Sequence, residues 1–384
     1  MVAAVRAHHS ICRVAKQFRV ARSTVSSWVQ RARGRQLDRV DWSDRPAGPR
    51  RPANKTAKAV EDVVLTLRRD LKDCSALGEF GAAAIQRELV KRRVTPLPSV
   101  RTLGRILERR GALDGRKRTR RKAPPTGWYL RDLAARKTEL DSFDVVEGLV
   151  IKGGYGVEVL NGISLYGGLV ASWPRSRITA KIVVNALIQH WRQVGLPAYA
   201  QFDNDTVFQG PHQYPDTIGR VSRLCLSLGI TPVFAPPREM GFQASIESFN
   251  GRWQAKVWAR FNFDSRQALQ AQSAKFITAS RRRAADRIEA APTRRPFPEP
   301  WTLDLKALPQ GTIVFLRRTS DRGDVSVLGH CFPVDANWAH RLVRVDVDLQ
   351  QNSIHVYALR RRDPTYQPLL KVISHTIPKR KFKD

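Results

Sequence analysis

Acidic residues are scarce in this chain. Its 384 residues carry 34 Asp and Glu against 67 Lys and Arg, a formal charge of +33, and an imbalance this large excludes an ordinary neutral enzyme surface. A partner of dense negative charge fits it, nucleic acid first, with a ribosomal-type or membrane-surface role as the alternatives. Cysteine is also sparse. Cys12, Cys74, Cys225 and Cys331 lie far apart with no CxxC pair, which excludes a disulfide scaffold or a zinc finger and fits a reducing compartment. His8 and His9 precede Cys12, but the next histidine is His190, so a local zinc site is not expected. No apolar run approaches the roughly 18 residues of a membrane span, and no signal-peptide core follows Met1. No membrane association is expected, and the expected location is cytoplasmic, nucleoid-associated. Apolar residues at 42% and aromatics at 8% exclude general disorder, and at roughly 100 to 200 residues per domain the length implies two to four domains.

What is present begins with a basic helical arm. In "SICRVAKQFRVARSTVSSWVQRAR", Ile11, Val14, Ala15 and Phe18 repeat at helical spacing, and after a break at Arg19 to Arg22, Ser23 can cap a second helix. Val25, Trp28 and Val29 of that second helix face inward. Arg22, Ser23, Thr24, Ser26, Ser27, Gln30 and Arg31 are left to face a partner, as in a helix-turn-helix whose second helix enters the major groove. A plain helical hairpin is the alternative. Residues 1–43 form this unit, 44–56 a proline-punctuated linker, and 57–113 a second helix-turn-helix-like unit. In the latter, Val60, Val63, Val64 and Leu67 form one stripe, Ile85 and Leu89 mark another helix, and Ser99 caps a third with Val100, Leu103, Ile106 and Leu107 inward. Most of the excess positive charge falls on this arm and on the basic linker 114–127, "DGRKRTRRKAPPTG", suited to tracking phosphates.

The pattern then changes to α/β over residues 128–290. Stretches near 139–151 and 157–171 read as strands paired about Lys152, Gly153 and Gly154. "RITAKIVVNALIQHWRQVGLP" is a helix, "AYAQF" a buried strand ending at Asp203, and "TPVFAPP" a short strand. After a proline-rich linker at 291–300, residues 301–375 are all β by pattern and suggest a small barrel of about five strands, followed by a basic tail at 376–384.

The few carboxylates of the α/β region sit where chemistry could use them. Asp203 closes a strand in "QFDNDTVFQG", Glu247 lies in the helix of "GFQASIESFNGRWQAKVW", and "ELDSFDVVEGL" offers Asp141 and Asp144 on the first strand. One carboxylate from each of three elements supplies the hard oxygen ligands that two magnesium ions need. One ion would activate water or a 3′-hydroxyl, and the other would stabilise the leaving oxygen. Three unrelated solvated carboxylates are the bland alternative.

This order of strand-Asp, strand-Asp, Gly- and Gln-bearing loop and helix-Glu, between helix-turn-helix units and a β-rich end, resembles the insertion-sequence DDE transposases with a retroviral-integrase-type core. "QFDND" and "GFQASIESFN" are its most specific parts, and in domain order it covers nearly the whole chain. The resemblance implies a multidomain architecture: all-α N-terminal units, an α/β RNase H-like core and a small all-β C-terminal domain. It also implies two Mg2+ or Mn2+ ions on three acidic residues. Asp203 matches the second and Glu247 the third. For the first, strand alternation favours Asp144, whereas counting back from "LNGIS", where the family tends to carry an acidic residue at the place of Asn161, fits Asp141; Asp144 is preferred and Asp141 is the alternative. Glu147 reads as a supporting or surface residue. By the same resemblance Gln243 and Asn250 contact DNA or brace the site, and Arg252 reaches phosphate, with capping or surface roles as their alternatives. Two departures stand out: "QGPHQYPDTIG" reads as a loop inserted between the second and third carboxylates, and Asp205 replaces the glycine of the usual DNG, a turn variation and not a fourth ligand.

The function expected is thus a DNA transposase acting on double-stranded DNA, both terminal inverted repeats and target. A homodimer or higher oligomer would join two ends in concert. A non-catalytic helix-turn-helix regulator derived from a transposase and an RNase H-type nuclease are the rivals.

Overall fold

The computed structural model describes residues 1–44, 56–113, 126–211, 213–239, 241–361 and 363–378. Most of the expected linkers at 44–56 and 114–127, and the end of the basic tail, lie outside the described residues. The chain divides into two units, Met1–Asp62 and Val63–Asp384. In the first, α1 (Val2–Arg6), α2 (Ile11–Phe18) and α3 (Arg22–Arg31) surround Val14, Ala15 and Val25. Ser10 Oγ accepts from the Arg13 amide to open α2, and Arg19 closes it in the left-handed region at φ 53°. Phe18, expected in the buried stripe, is exposed, because the helix ends there and turns away. Ser23 does not cap α3. The helix starts two residues earlier than expected, with Ala21 in the cap position and no side-chain bond. Five residues are too few to show a period, so α1 was invisible to the pattern; Arg6 ties it to the end of α3 by donating to the Ala32 and Arg35 carbonyls at 2.6 and 2.7 Å.

The helix α4 (Lys58–Cys74) carries the boundary between the units, and its later turns join α5 (Ala82–Lys91) and α6 (Val100–Arg109) around Val64, Leu67, Ile85, Leu89, Leu103, Ile106 and Leu107. Ser99 caps α6 as expected, accepting from the Thr102 amide. Val63 and Val100, expected inward, face solvent.

After the short α7 (Arg131–Ala134), the strands β1 (Leu140–Ile151), β2 (Tyr155–Ser164) and β3 (Val170–Arg175) form an antiparallel meander. The stretch expected as one strand at 157–171 is two, because the chain turns between Ser164 and Val170 with Gly168 at φ 65°. Next come α8 (Ala180–Val194), β4 (Tyr199–Phe202), α9 (Thr206–Gln209), α10 (Arg220–Ser227) and β5 (Thr231–Phe234), then α11 (Ala244–Lys256), α12 (Arg266–Arg283) and α13 (Ala285–Glu289). The remaining strands are β6 (Thr312–Arg318), β7 (Asp324–Val327), β8 (His330–Pro333), β9 (Leu342–Asp348), β10 (Ser353–Ala358) and β11 (Leu369–Ser374).

Nine of these strands make one sheet in the order β11-β10-β9-β6-β5-β4-β1-β2-β3. The expected separate C-terminal barrel is therefore not what forms. Strand β6 pairs in parallel with β5 through Val233 opposite Val314 and Phe234 opposite Phe315, whose rings stack at 5.1 Å. Its run Ile313 to Leu316 is buried on both faces, the signature of a central strand, so the β-rich end extends the α/β sheet and shares its core. The hairpin β7-β8 stands outside that sheet.

Helices cover both faces near β1. On one, Val183, Leu187 and Trp191 of α8 and Val221 and Leu224 of α10 meet Phe143, Phe202 and Phe234. On the other, Ile246, Phe249 and Trp253 of α11 and Leu269 and Phe276 of α12 meet Val146, Val159 and Ile163. Trp253 is wholly buried, a contribution of about 5 kcal/mol at ordinary transfer values. Its indole N–H is satisfied by Ser273 Oγ at 2.9 Å. That packing fixes the rotation of α11, and hence where Glu247 points from the sheet.

Candidate metal centre

Strand parity separates the two candidates for the first carboxylate. Residues three apart on a strand face opposite sides, and the two aspartates of β1 do so. Asp141 faces α8: it accepts from Trp191 Nε1 at 3.0 Å and is clamped by Arg294, whose Nη1 and Nη2 lie 2.9 and 2.6 Å from its two oxygens. Burial would raise its carboxyl, but the Arg294 guanidinium overrides this and holds it below the usual range. Both Asp141 oxygens are engaged by Arg294, and only 1% of its surface is exposed. Asp144 faces α11.

Asp144 is half-buried, and among the described residues no Lys or Arg pairs with it. Its Oδ1 accepts from the Val145 amide at 3.0 Å and its Oδ2 from Asn250 Nδ2 at 2.7 Å. Burial, then the Asp203 charge, and further down the Glu247 charge, push its carboxyl up to about 6. Of the three carboxylates, Asp144 on β1 thus feels the charges of Asp203 at the end of β4 and of Glu247 in the first turn of α11. They are not drawn to within 4.8 Å of each other. Glu247 is exposed.

The turn after β4 is built residue by residue. Asp203 Oδ1 accepts from the Asp205 amide at 3.0 Å, and Asp205 caps α9 by accepting from the Val207 amide at 2.8 Å. Between them, Asn204 donates to the Ala235 carbonyl at 2.7 Å and accepts from Arg317 Nη2 at 2.8 Å. Burial holds the Asp203 carboxyl above its usual range; the Asp205 amide opposes this, and the Asp205 and Glu147 charges add to it. Glu147 reaches this neighbourhood because the register of β1 slips between Val146 and Leu149, with Gly148 at φ 72°.

Behind Asp144 runs an amide relay. Asn161, the register partner of Asp144 on β2, donates to Asn250 Oδ1 at 2.8 Å, and Asn250 passes its own N–H to Asp144. Asn250 is 8% exposed and spends both ends of its amide this way, so its position suits bracing and not DNA contact. Gln243 stands at the cap position of α11, and its Nε2 is buried without a hydrogen-bond partner. Arg252 is exposed, with its guanidinium 5.8 Å from the Phe249 ring. On α3, Arg22, Ser23, Ser27 and Gln30 are exposed and Thr24 and Ser26 are partly so, whereas Arg31 lies over the Trp28 ring at 5.0 Å and pairs with Asp41 at 3.4 Å. Arg31 is thus less available to an outside partner than its neighbours.

No protein-family model matches the chain. No curated relative matches it either. Among solved structures it is similar to a chain of the simian T-cell lymphotropic virus intasome in complex with PP2A regulatory subunit B56 gamma. There the identity is 13%, 69% of this chain and 88% of that chain are covered, and the TM-score is 0.35. It is also similar to the catalytic core domain of BIV integrase (18% identity, 36% of this chain and 81% of that one, TM-score 0.28). The HTLV-2 integrase catalytic core domain in complex with magnesium gives 15% identity, 41% and 87% coverage and a TM-score of 0.28. Likenesses at this level carry no functional weight, which falls on the side-chain geometry instead.

Sequence patterns missed two supporting groups. Arg317 reads as part of an ordinary basic strand, yet it is 8% exposed and holds the middle of the Asp203 turn. Arg294 reads as part of a linker, yet it neutralises Asp141. The signal available for Arg294 was only its place among the few residues that could answer a buried strand carboxylate. The end of α11 is fastened as well: Lys256 donates to the Gly78 carbonyl at 2.9 Å, and just beyond it Arg260 donates to the Lys72 and Asp73 carbonyls at 3.0 and 2.6 Å, capping α4.

Proposed function

We propose that the chain is an insertion-sequence DDE transposase, a metal-dependent polynucleotidyl transferase that binds terminal inverted repeats and catalyses DNA strand cleavage and strand transfer. The observation that carries this reading is Asp144, half-buried with no Lys or Arg partner among the described residues and pushed up to about 6 by burial and by the Asp203 and Glu247 charges. Such a site is short of positive charge. The strand order β3-β2-β1-β4-β5, with β2 antiparallel to its neighbours, supports an RNase H-like core around it.

The donor set fits the hard divalent ions. Asp144, Asp203 and Glu247 would hold two Mg2+ or Mn2+, since all three offer oxygen and no imidazole or thiol joins them among the described residues. When bound, the ions supply neutralisation of the phosphate charge and activation of water or a 3′-hydroxyl for in-line attack. The chain's own groups do the positioning. Asn250, backed by Asn161, fixes the Asp144 carboxylate, and Asn204 with Arg317 fixes the turn that carries Asp203. The α2-α3 pair would act as a helix-turn-helix on duplex DNA, with Arg22, Ser23, Thr24, Ser26, Ser27 and Gln30 as the base and phosphate contacts and Arg31 as a brace. Gln243 and Arg252 would contact DNA beside the centre. The charge of +33 supports a DNA partner, and joining two ends requires a homodimer or larger assembly.

Glu247→Gln tests the reading on a DNA duplex bearing the inverted-repeat end. Losing one ion's ligand removes several kcal/mol of charge stabilisation, so cleavage with Mg2+ should fall on the order of 1000-fold while end binding is unchanged. Undiminished cutting by the variant sinks the two-metal mechanism. No cutting by the parent chain favours the regulator reading.

A further inference from the structure

The loop inserted between α9 and α10 ends against the β-rich part of the chain. Asp216, in the left-handed region at φ 59°, donates its backbone N–H to the Leu328 carbonyl at 2.9 Å. Pro215 packs so closely on Gly329, itself at φ 77°, that a Cβ there would meet the Pro215 Cα at 3.0 Å. This contact delivers the Asp216 carboxylate to two histidines from distant elements: His330, the first residue of β8, and His375, just after β11. Asp216 Oδ1 lies 2.7 Å from His375 Nε2 and 3.1 Å from His330 Nε2. The imidazole rings stand 5.0 Å apart at 65°, with the Phe332 ring against both.

We propose that Asp216, His330 and His375 form a binding site for a divalent transition-metal ion of the zinc type. Among the described residues these are the one group whose ligand atoms all lie within 4.8 Å of one another. Two imidazole nitrogens and one carboxylate oxygen are borderline donors that suit zinc and its neighbours and not the magnesium class. The spacing also fits. Bonds of about 2.0 to 2.1 Å in a tetrahedron put ligand atoms roughly 3.3 Å apart, so the ion needs a widening of about half an ångström at His375 and less at His330. His330 gives an independent pointer. Its Nε2 is buried and makes no hydrogen bond, near Asp216 Oδ1 but out of line with it, as for an atom that shares a third partner with that oxygen. Three protein ligands leave one position for water. The site is a clamp: it fastens the inserted loop to the β7-β8 hairpin and to the end of β11, independently of Asp144, Asp203 and Glu247.

Chelator-stripped full-length protein titrated with Zn2+ against a chromogenic competitor, and with Co2+ as a spectroscopic probe, tests this. The parent chain should take up one Zn2+ in competition with the chromogenic chelator, raising its melting temperature, and give the intense visible bands of tetrahedral Co2+. His330→Gln and His375→Gln should each weaken Zn2+ binding by roughly 100-fold or more and abolish those bands. Asp203→Asn and Glu247→Gln should leave both unchanged, which keeps this outcome separate from that of the proposed function. A parent chain whose Co2+ spectrum lacks the intense tetrahedral bands overturns the site, even if the histidine variants fail to fold. Zn2+ uptake unaffected by the two histidine variants does the same, and leaves the cluster a histidine-aspartate hydrogen-bonded group only.

Discussion

Replacing Asp144 by Asn should make the metal-free protein more stable while destroying its ion binding. The carboxyl is pushed from its ordinary value of 3.8 up to about 6, so between these values the fold holds a proton that the unfolded chain has released. Stability therefore falls as pH rises from about 4 to about 6 and stays low above that, a loss of about 3 kcal/mol at pH 8. An amide in place of the carboxylate removes that penalty. It can also be accommodated: if the Asn250 and Asn161 amides both flip, the new N–H meets Asn250 Oδ1, and Asn250 then donates to the Asn161 oxygen, which has no hydrogen-bond partner at present. Urea unfolding in chelator, followed by tryptophan fluorescence, should show a gain of about 3 kcal/mol at pH 8, about half of that at pH 5 and under about 1 at pH 4. Added Mg2+ or Mn2+ should stabilise the parent chain and not the variant. A variant no more stable than its parent at pH 8, or a gain that does not change with pH, refutes the account of Asp144 as a repelled and unpaired carboxylate.

Asn250→Ala should cost about 1 to 3 kcal/mol, because it strands the buried Asn161 amide. It also strips a hydrogen bond from ionised Asp144, so the acid limb of the cleavage pH profile should move to higher pH; an unmoved limb counts against the bracing role. Arg294→Met should cost about 3 to 5 kcal/mol, since it leaves Asp141 charged and buried without its guanidinium. The Asp141 carboxyl is held below its usual value in the fold, so the stability from that pair is present above the unfolded value and lost as pH falls through the folded one. Asp141→Asn should keep divalent-ion binding, measured by calorimetry, where Asp144→Asn loses it; the opposite result would reverse the choice of first ligand.

Much of the local structure was legible because it rests on short-range rules. Ser99 and the stripe Leu103, Ile106 and Leu107 announce α6, the run of α8 ends at Gly195, and "AYAQF" stops just before Asp203, all through spacing and capping. Phe18 and Val100 were misread for a matching reason: periodicity gives a helix face, but which end of that face meets a neighbour depends on the partner helix. The β-rich end was legible as strands and not as architecture. Whether β6 closes a barrel or joins β5 depends on pairing between residues about 80 apart in sequence, which no local pattern encodes.

The sequence by itself determined the scarcity of acid, the basic arm, and the order Asp144, Asp203, Glu247 along the chain. Tertiary structure decided what each aspartate of the first strand meets. Parity sends Asp141 to Trp191 and Arg294 and Asp144 to Asn250, but only the packing of α11 on one face and α8 on the other turns that parity into a choice. Asp216, His330 and His375 were likewise unreadable in advance, since their spacing along the chain follows no ligand motif and only the folded loop brings their donor atoms within 4.8 Å. The physical reason is the same in each case: charge and hydrogen bonds act through space at a few ångströms, and the chain sets those distances only after it has closed.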